Sequence, residues 1–118
     1  MSAKGAKKKA DDLFSRIIRS KGFCENCGND DYSKLQCAHI ISRRYSNTRV
    51  DFANALCLDA KCHLYFTDHP LEFASFVHSK RSPAVLRRLQ ELSQSTAKVD
   101  WTAEVVRLAA VAAELDAA

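Results

Sequence analysis

The chain has 118 residues, 47% hydrophobic and 27% charged, with a formal net charge of +4. That length suits one domain with a modest core, a size at which folds often need a staple. No apolar run reaches the roughly 18 residues of a membrane span, and no apolar stretch follows the basic N-terminus as in a secretory signal, so a cytoplasmic protein with reduced thiols is expected.

Charge is unevenly distributed. Residues 1–21 carry Lys4, Lys7, Lys8, Lys9, Arg16, Arg19 and Lys21 against Asp11 and Asp12, whereas residues 99–118 carry Arg107 against four acids. Such asymmetry points to a polyanion partner at one face; a solvated surface is the plainer alternative.

In chain order, residues 1–9 are small, polar and basic and predict a disordered arm. Leu13, Phe14, Ile17 and Ile18 predict a helix over 10–21, with Gly22 as its C′ stop. Cys24-Glu-Asn-Cys27-Gly28 reads as a knuckle followed by a bend. A strand is expected over 34–41, then a polar, Arg-rich loop over 42–51, then a short apolar stretch from Phe52 to Leu58. A brief helix starting near Ala60 would carry Cys62 and His63. Asp68 and Pro70 signal a helix over 70–79, Ser82 and Pro83 another over 83–95, and Asp100 a last one over 101–116. Trp101, Val105, Leu108, Ala112 and Leu115 fall at heptad spacing, so the last two helices are expected to pack as an antiparallel pair. The fold class is α+β and mostly helical: a core over 10–80, extended by a helical hairpin over 81–118 of the same domain.

Five cysteines in a reducing compartment argue for metal rather than disulfides. Cys24-x2-Cys27 and Cys57-x4-Cys62 have spacings that let paired thiolates reach one tetrahedral Zn²⁺. Four thiolates leave no open position, so this Zn²⁺ would be structural and would contribute folding free energy. Cys37 is left over and reads as a small buried hydrophobe. Between the cysteine pairs lie His39 and Asn54, and His63 follows the last cysteine.

Cys24-Glu-Asn-Cys27, Cys-Ala-His39-Ile-Ile-Ser-Arg-Arg, Arg-Val-Asp-Phe-Ala-Asn54-Ala-Leu-Cys57 and Cys62-His63 together resemble the HNH, or ββα-metal, endonucleases. With His69-Pro70-Leu-Glu-Phe73 the pattern is similar to small bacteriophage-encoded HNH proteins. The resemblance covers about residues 20–78. It implies a two-stranded hairpin and a helix gripping one divalent ion, Mg²⁺, Mn²⁺ or another. His39 matches the general base, His63 the helix-borne metal ligand, and Asn54 the residue that holds the loop orienting the base. The implied reaction is hydrolysis of DNA phosphodiesters, nicking or double-strand cleavage with low sequence specificity, leaving a 5′-phosphate and a 3′-hydroxyl.

Two departures stand out. Many HNH nucleases carry a metal-binding Asp or His where this chain has Ala38; Asp59, Asp68 and His69 are candidate replacements. The four-residue Cys57–Cys62 gap is also longer than the common two. Arg43, Arg44 and Arg49 follow the base, and at least one is expected to grip the scissile strand. DNA is the implied partner, with other phage proteins as further candidates, in the cytoplasm of a bacterial host if the chain is phage-encoded. Monomer and dimer both stay open. The competing reading is a non-catalytic, zinc-stabilised DNA- or protein-binding module; a structural or assembly protein is a third.

Overall fold

A computed structural model describes residues 2–117. Among them are five α-helices and one two-stranded antiparallel sheet, an α+β fold dominated by helix. None of the helices is long and apolar enough to cross a membrane.

Helix α1 runs Ala3–Arg19, with Ser2 accepting from the backbone N–H of Gly5 as N-cap. The expected disordered arm over 1–9 is therefore corrected: from Ala3 on it is helical. The reason is long-range. Ala6 and Ala10 are fully buried, and with Leu13 and Phe14 they form the apolar face of α1. That face meets α5 (Trp101–Ala117), whose Leu108 and Ala112 are buried in the same cluster. Gly22, expected directly after the helix end, lies further out: the helix is capped at Ser20, and Gly22 takes a φ of 85° two residues later.

Lys7 sits over the Trp101 ring and Arg16 pairs with Asp116, so early meets early and late meets late. Helices α1 and α5 therefore run parallel. This corrects the expected pairing of the last two helices: α5 crosses back to α1, while α4 (Pro83–Ser93) lies elsewhere. Arg88 of α4 pairs with Asp51, and Leu86 joins the cluster formed with α3 (Pro70–Lys80). Asp68, expected to cap α3, is the last residue of α2 (Ala60–Asp68); His69 takes the cap position without a side-chain bond.

The hairpin is the centre of the molecule. Strand β1 (Leu35–His39) pairs antiparallel with β2 (Ala55–Asp59), Cys37 opposite Cys57 and His39 opposite Ala55. Every residue of β2 is buried, because helices cover both faces. Ala55 packs with α1 and α5, while Leu56 and Leu58 pack with Phe66 of α2 and Val77 of α3. The run from β1 through β2 into α2 is thus a hairpin followed directly by a helix.

Candidate metal centre and histidine cleft

The knuckle begins at Cys24. Its N–H donates to the Asn29 carbonyl (2.8 Å), and the Gly28 N–H returns to the Cys24 carbonyl (2.9 Å). Gly28 closes this turn at φ 81°, a conformation that glycine adopts without strain. The Sγ atoms of Cys24, Cys27 and Cys62 and a carboxylate oxygen of Asp59 all lie within 4.8 Å of one another. Three soft thiolates and one carboxylate, at this closeness, suit a tetrahedral ion such as Zn²⁺.

The fourth residue of this cluster is Asp59, where Cys57 was expected. Backbone placement decides it. The Glu25 N–H donates to the Cys57 carbonyl (2.8 Å), and the Cys57 N–H donates to the Glu25 carboxylate (2.7 Å). Cys57 is thereby held beside residue 25, fully buried, with its thiol pushed up by burial. Asp59 sits two residues on, at the end of β2, where it also caps α2 by accepting from the Cys62 N–H (2.7 Å). That bond, more than any other contact, holds its carboxyl down to about 2. Asn29 donates to the same carboxylate (3.1 Å). The signal was present in the chain: Asp59-x2-Cys62 repeats the gap of Cys24-x2-Cys27. Cys37 is outside the cluster, as expected, and burial pushes its thiol to about 12.

A second constellation lies beyond the knuckle. His39, at the end of β1, and His63, on α2, line one cleft of about 460 Å³ together with Arg43 and Arg19. A small hollow behind it is also edged by both histidines. His39 Nε2 is 2.8 Å from the Arg49 carbonyl. A carbonyl only accepts, so Nε2 carries the proton and Nδ1 the lone pair. Phe14 packs 5.6 Å from the ring, and burial pushes the imidazole below its ordinary value, favouring the neutral form. His63 uses its other nitrogen: Nδ1 lies 2.8 Å from Gln36 Oε1, which leaves Nε2 free. Burial lowers this imidazole too.

Asn54 is wholly buried and does not line the cleft. Its Oδ1 accepts from the Ile41 N–H (2.8 Å), and its Nδ2 donates to the carbonyls of Ile41 (3.1 Å) and Thr48 (3.0 Å). It staples both ends of the loop whose Arg49 carbonyl holds His39.

The three loop arginines separate. Arg43 is exposed at the cleft. Arg44 lies over the Tyr45 ring and lines a different groove. Arg49 forks onto both oxygens of Asp11 (2.8 and 2.6 Å) and donates to the Arg43 carbonyl (2.7 Å). Arg49 is thus a strut of the loop rather than a free phosphate grip.

Ala38 is fully buried, and none of the expected replacements reaches the histidines as part of a ligand set. Asp59 belongs to the cysteine cluster, Asp68 is exposed, and His69 stacks on Tyr65 with Nδ1 on the Tyr65 carbonyl (2.7 Å). Among the described residues the Cys3Asp group is the one cluster of three or more such ligands. No family model, curated protein or solved structure matches this chain.

Proposed function

We propose that the chain is a metal-dependent DNA endonuclease of the HNH type, with the hairpin and α2 as its ββα-metal core. One observation carries the reading. Two imidazoles line one cleft, each with one nitrogen tied back and the other left free, beside the exposed Arg43.

In this reading His39 is the general base. Its Nδ1 takes a proton from the attacking water, and the Arg49 carbonyl, accepting from Nε2, steadies the imidazolium that results. Arg43 meets a non-bridging phosphate oxygen. Asn54 and Arg49 hold the loop and so fix the direction of the base. His63 Nε2 would hold the catalytic divalent ion, which when bound supplies charge neutralisation at the phosphate and the leaving 3′ oxygen. A neutral imidazole fits such an ion, but as the lone protein ligand it favours borderline ions such as Ni²⁺ over the oxygen-seeking Mg²⁺ and Mn²⁺. The Cys24, Cys27, Asp59 and Cys62 group would hold a structural Zn²⁺ and clamp the knuckle to the start of α2.

The buried Ala38, with no cluster of three ligands formed around the histidines among the described residues, favours a second reading: a zinc-stabilised DNA- or protein-binding module without catalysis. Supercoiled plasmid separates the two. Incubation with Mn²⁺, Ni²⁺ or Mg²⁺ should give nicked or linear product that His39→Ala abolishes. A folded, metal-bearing protein that cuts with none of these ions, or a His39→Ala variant that cuts equally well, overturns the nuclease reading.

A further inference from the structure

On the far side of the loop over 42–51 lies a groove of about 500 Å³. Its walls are that loop and the segment joining α4 to α5. Asn47 fastens the two together, its Nδ2 donating to the carbonyls of Ser95 (3.1 Å) and Ala97 (3.0 Å). Arg44, Tyr45, Lys98 and Trp101 line it, and the rest of the lining is hydroxyl, amide and small apolar groups without a single carboxylate. The neighbouring groove of similar volume, which shares Lys98, is lined by Asp51, Asp100 and Glu104, so the two grooves differ in charge.

Two aromatic rings here sit beside cations. The Arg44 guanidinium is 5.2 Å from the Tyr45 centroid, and Lys7 reaches within 5.5 Å of the Trp101 centroid from α1. Tyr45 and Trp101 are half-buried and therefore held, whereas Arg44 and Lys98 are exposed. Held aromatic surfaces interleaved with unneutralised cations are what an unpaired nucleotide strand needs, the rings for its bases and the cations for its phosphates. A duplex hides its base faces and would leave the rings unused.

We propose that this groove binds single-stranded DNA, phosphates against Arg44 and Lys98 and bases against Tyr45 and Trp101. That the strand is DNA rests on the nuclease reading. The geometry connects the two sites, because Arg43 edges the histidine cleft and its neighbour Arg44 edges the groove. One loop thus forms a wall of each.

Trp101 is the sole tryptophan of the chain, which makes it the reporter. The intact protein is titrated with a short oligothymidylate without added divalent ion. Trp101 fluorescence should fall saturably. Arg44→Glu and Lys98→Glu, both at exposed positions and both keeping the reporter, should weaken binding and flatten the dependence of log K on log salt by about 0.7 per lost phosphate contact. Trp101→Ala and Tyr45→Ala, read by anisotropy of a labelled oligonucleotide and checked for folding by circular dichroism, should each show a loss of roughly 5- to 150-fold. Unchanged Trp101 fluorescence at saturating oligonucleotide, or unchanged affinity in both glutamate variants, overturns the proposal. Saturable quenching that persists in His39→Ala supports the groove even if plasmid is never cut. Cleavage without quenching removes the groove and leaves the nuclease reading standing.

Discussion

Replacing Asp59 by alanine takes away three things at once: one member of the Cys3Asp cluster that could hold a metal ion, the cap of α2 and the acceptor for Asn29. Loss of an N-cap costs about 1 kcal/mol. Leaving the partner of a charged hydrogen bond unsatisfied costs about 2 kcal/mol more. At roughly 4 °C per kcal/mol for a chain of this size, the metal-free variant should melt about 12 °C below the metal-free parent. The loaded difference should be larger, because a structural ion also stabilises the folded state. Cys57→Ala makes the contrast. It removes one buried sulfur outside the cluster, which should cost about 1 kcal/mol and leave the metal ratio unchanged. The assay is metal per chain by elemental analysis after gel filtration, with melting followed by circular dichroism. If Cys57→Ala loses the ion while Asp59→Ala keeps it, the fourth donor is Cys57 and the reasoning from strand position is wrong.

Asn54→Ala removes three hydrogen bonds from a buried site, about 1 kcal/mol each. The urea midpoint should fall accordingly, and the Ile41 amide should lose protection from hydrogen exchange. Burial pushes the Asp11 carboxyl up, but the Arg49 fork outweighs it and the net shift is downward. A carboxyl lowered on folding stabilises above its unfolded value and stops doing so as pH falls through the folded one. Arg49→Met should therefore lower the melting temperature clearly at pH 7 and much less near pH 2; an equal loss at both would count against the ion pair. In Gln36→Leu the free His63 imidazole loses its orienting partner, so Ni²⁺ affinity measured calorimetrically on zinc-loaded protein should fall roughly 10- to 100-fold. Gln36→Glu should retain it.

Much of the layout was legible because it is local. Ser82 and Asp100 accept from the backbone N–H groups of Val85 (3.2 Å) and Ala103 (3.0 Å), as cap residues do. Proline opens α3 and α4. The two-residue gap of Cys24 and Cys27 holds their sulfurs together whatever the rest of the chain does. His39 and His63 stood out by residue type and position, and the fold brings both to the lining of one cleft. Their tautomers were not legible, since each depends on a hydrogen-bond partner brought in from another segment: Arg49 for His39, Gln36 for His63.

By itself, then, the chain determined the first strand, the helix that carries Cys62 and His63, the caps Ser82 and Asp100, and three of the four residues in the Cys3Asp cluster. Tertiary structure alone decided which residue is the fourth, because Cys57 and Asp59 both satisfy a spacing argument and only the pairing of β2 with Glu25 separates them. It also decided that residues 3–9 are helical and that Arg49 is a strut. Composition makes the first look like a tail and the second like a free cation. Arg49 meets Asp11 across 38 residues, and Arg16 meets Asp116 across 100. Propensity, capping and short spacing act over a few residues; burial and ion pairing act between whatever the fold brings together.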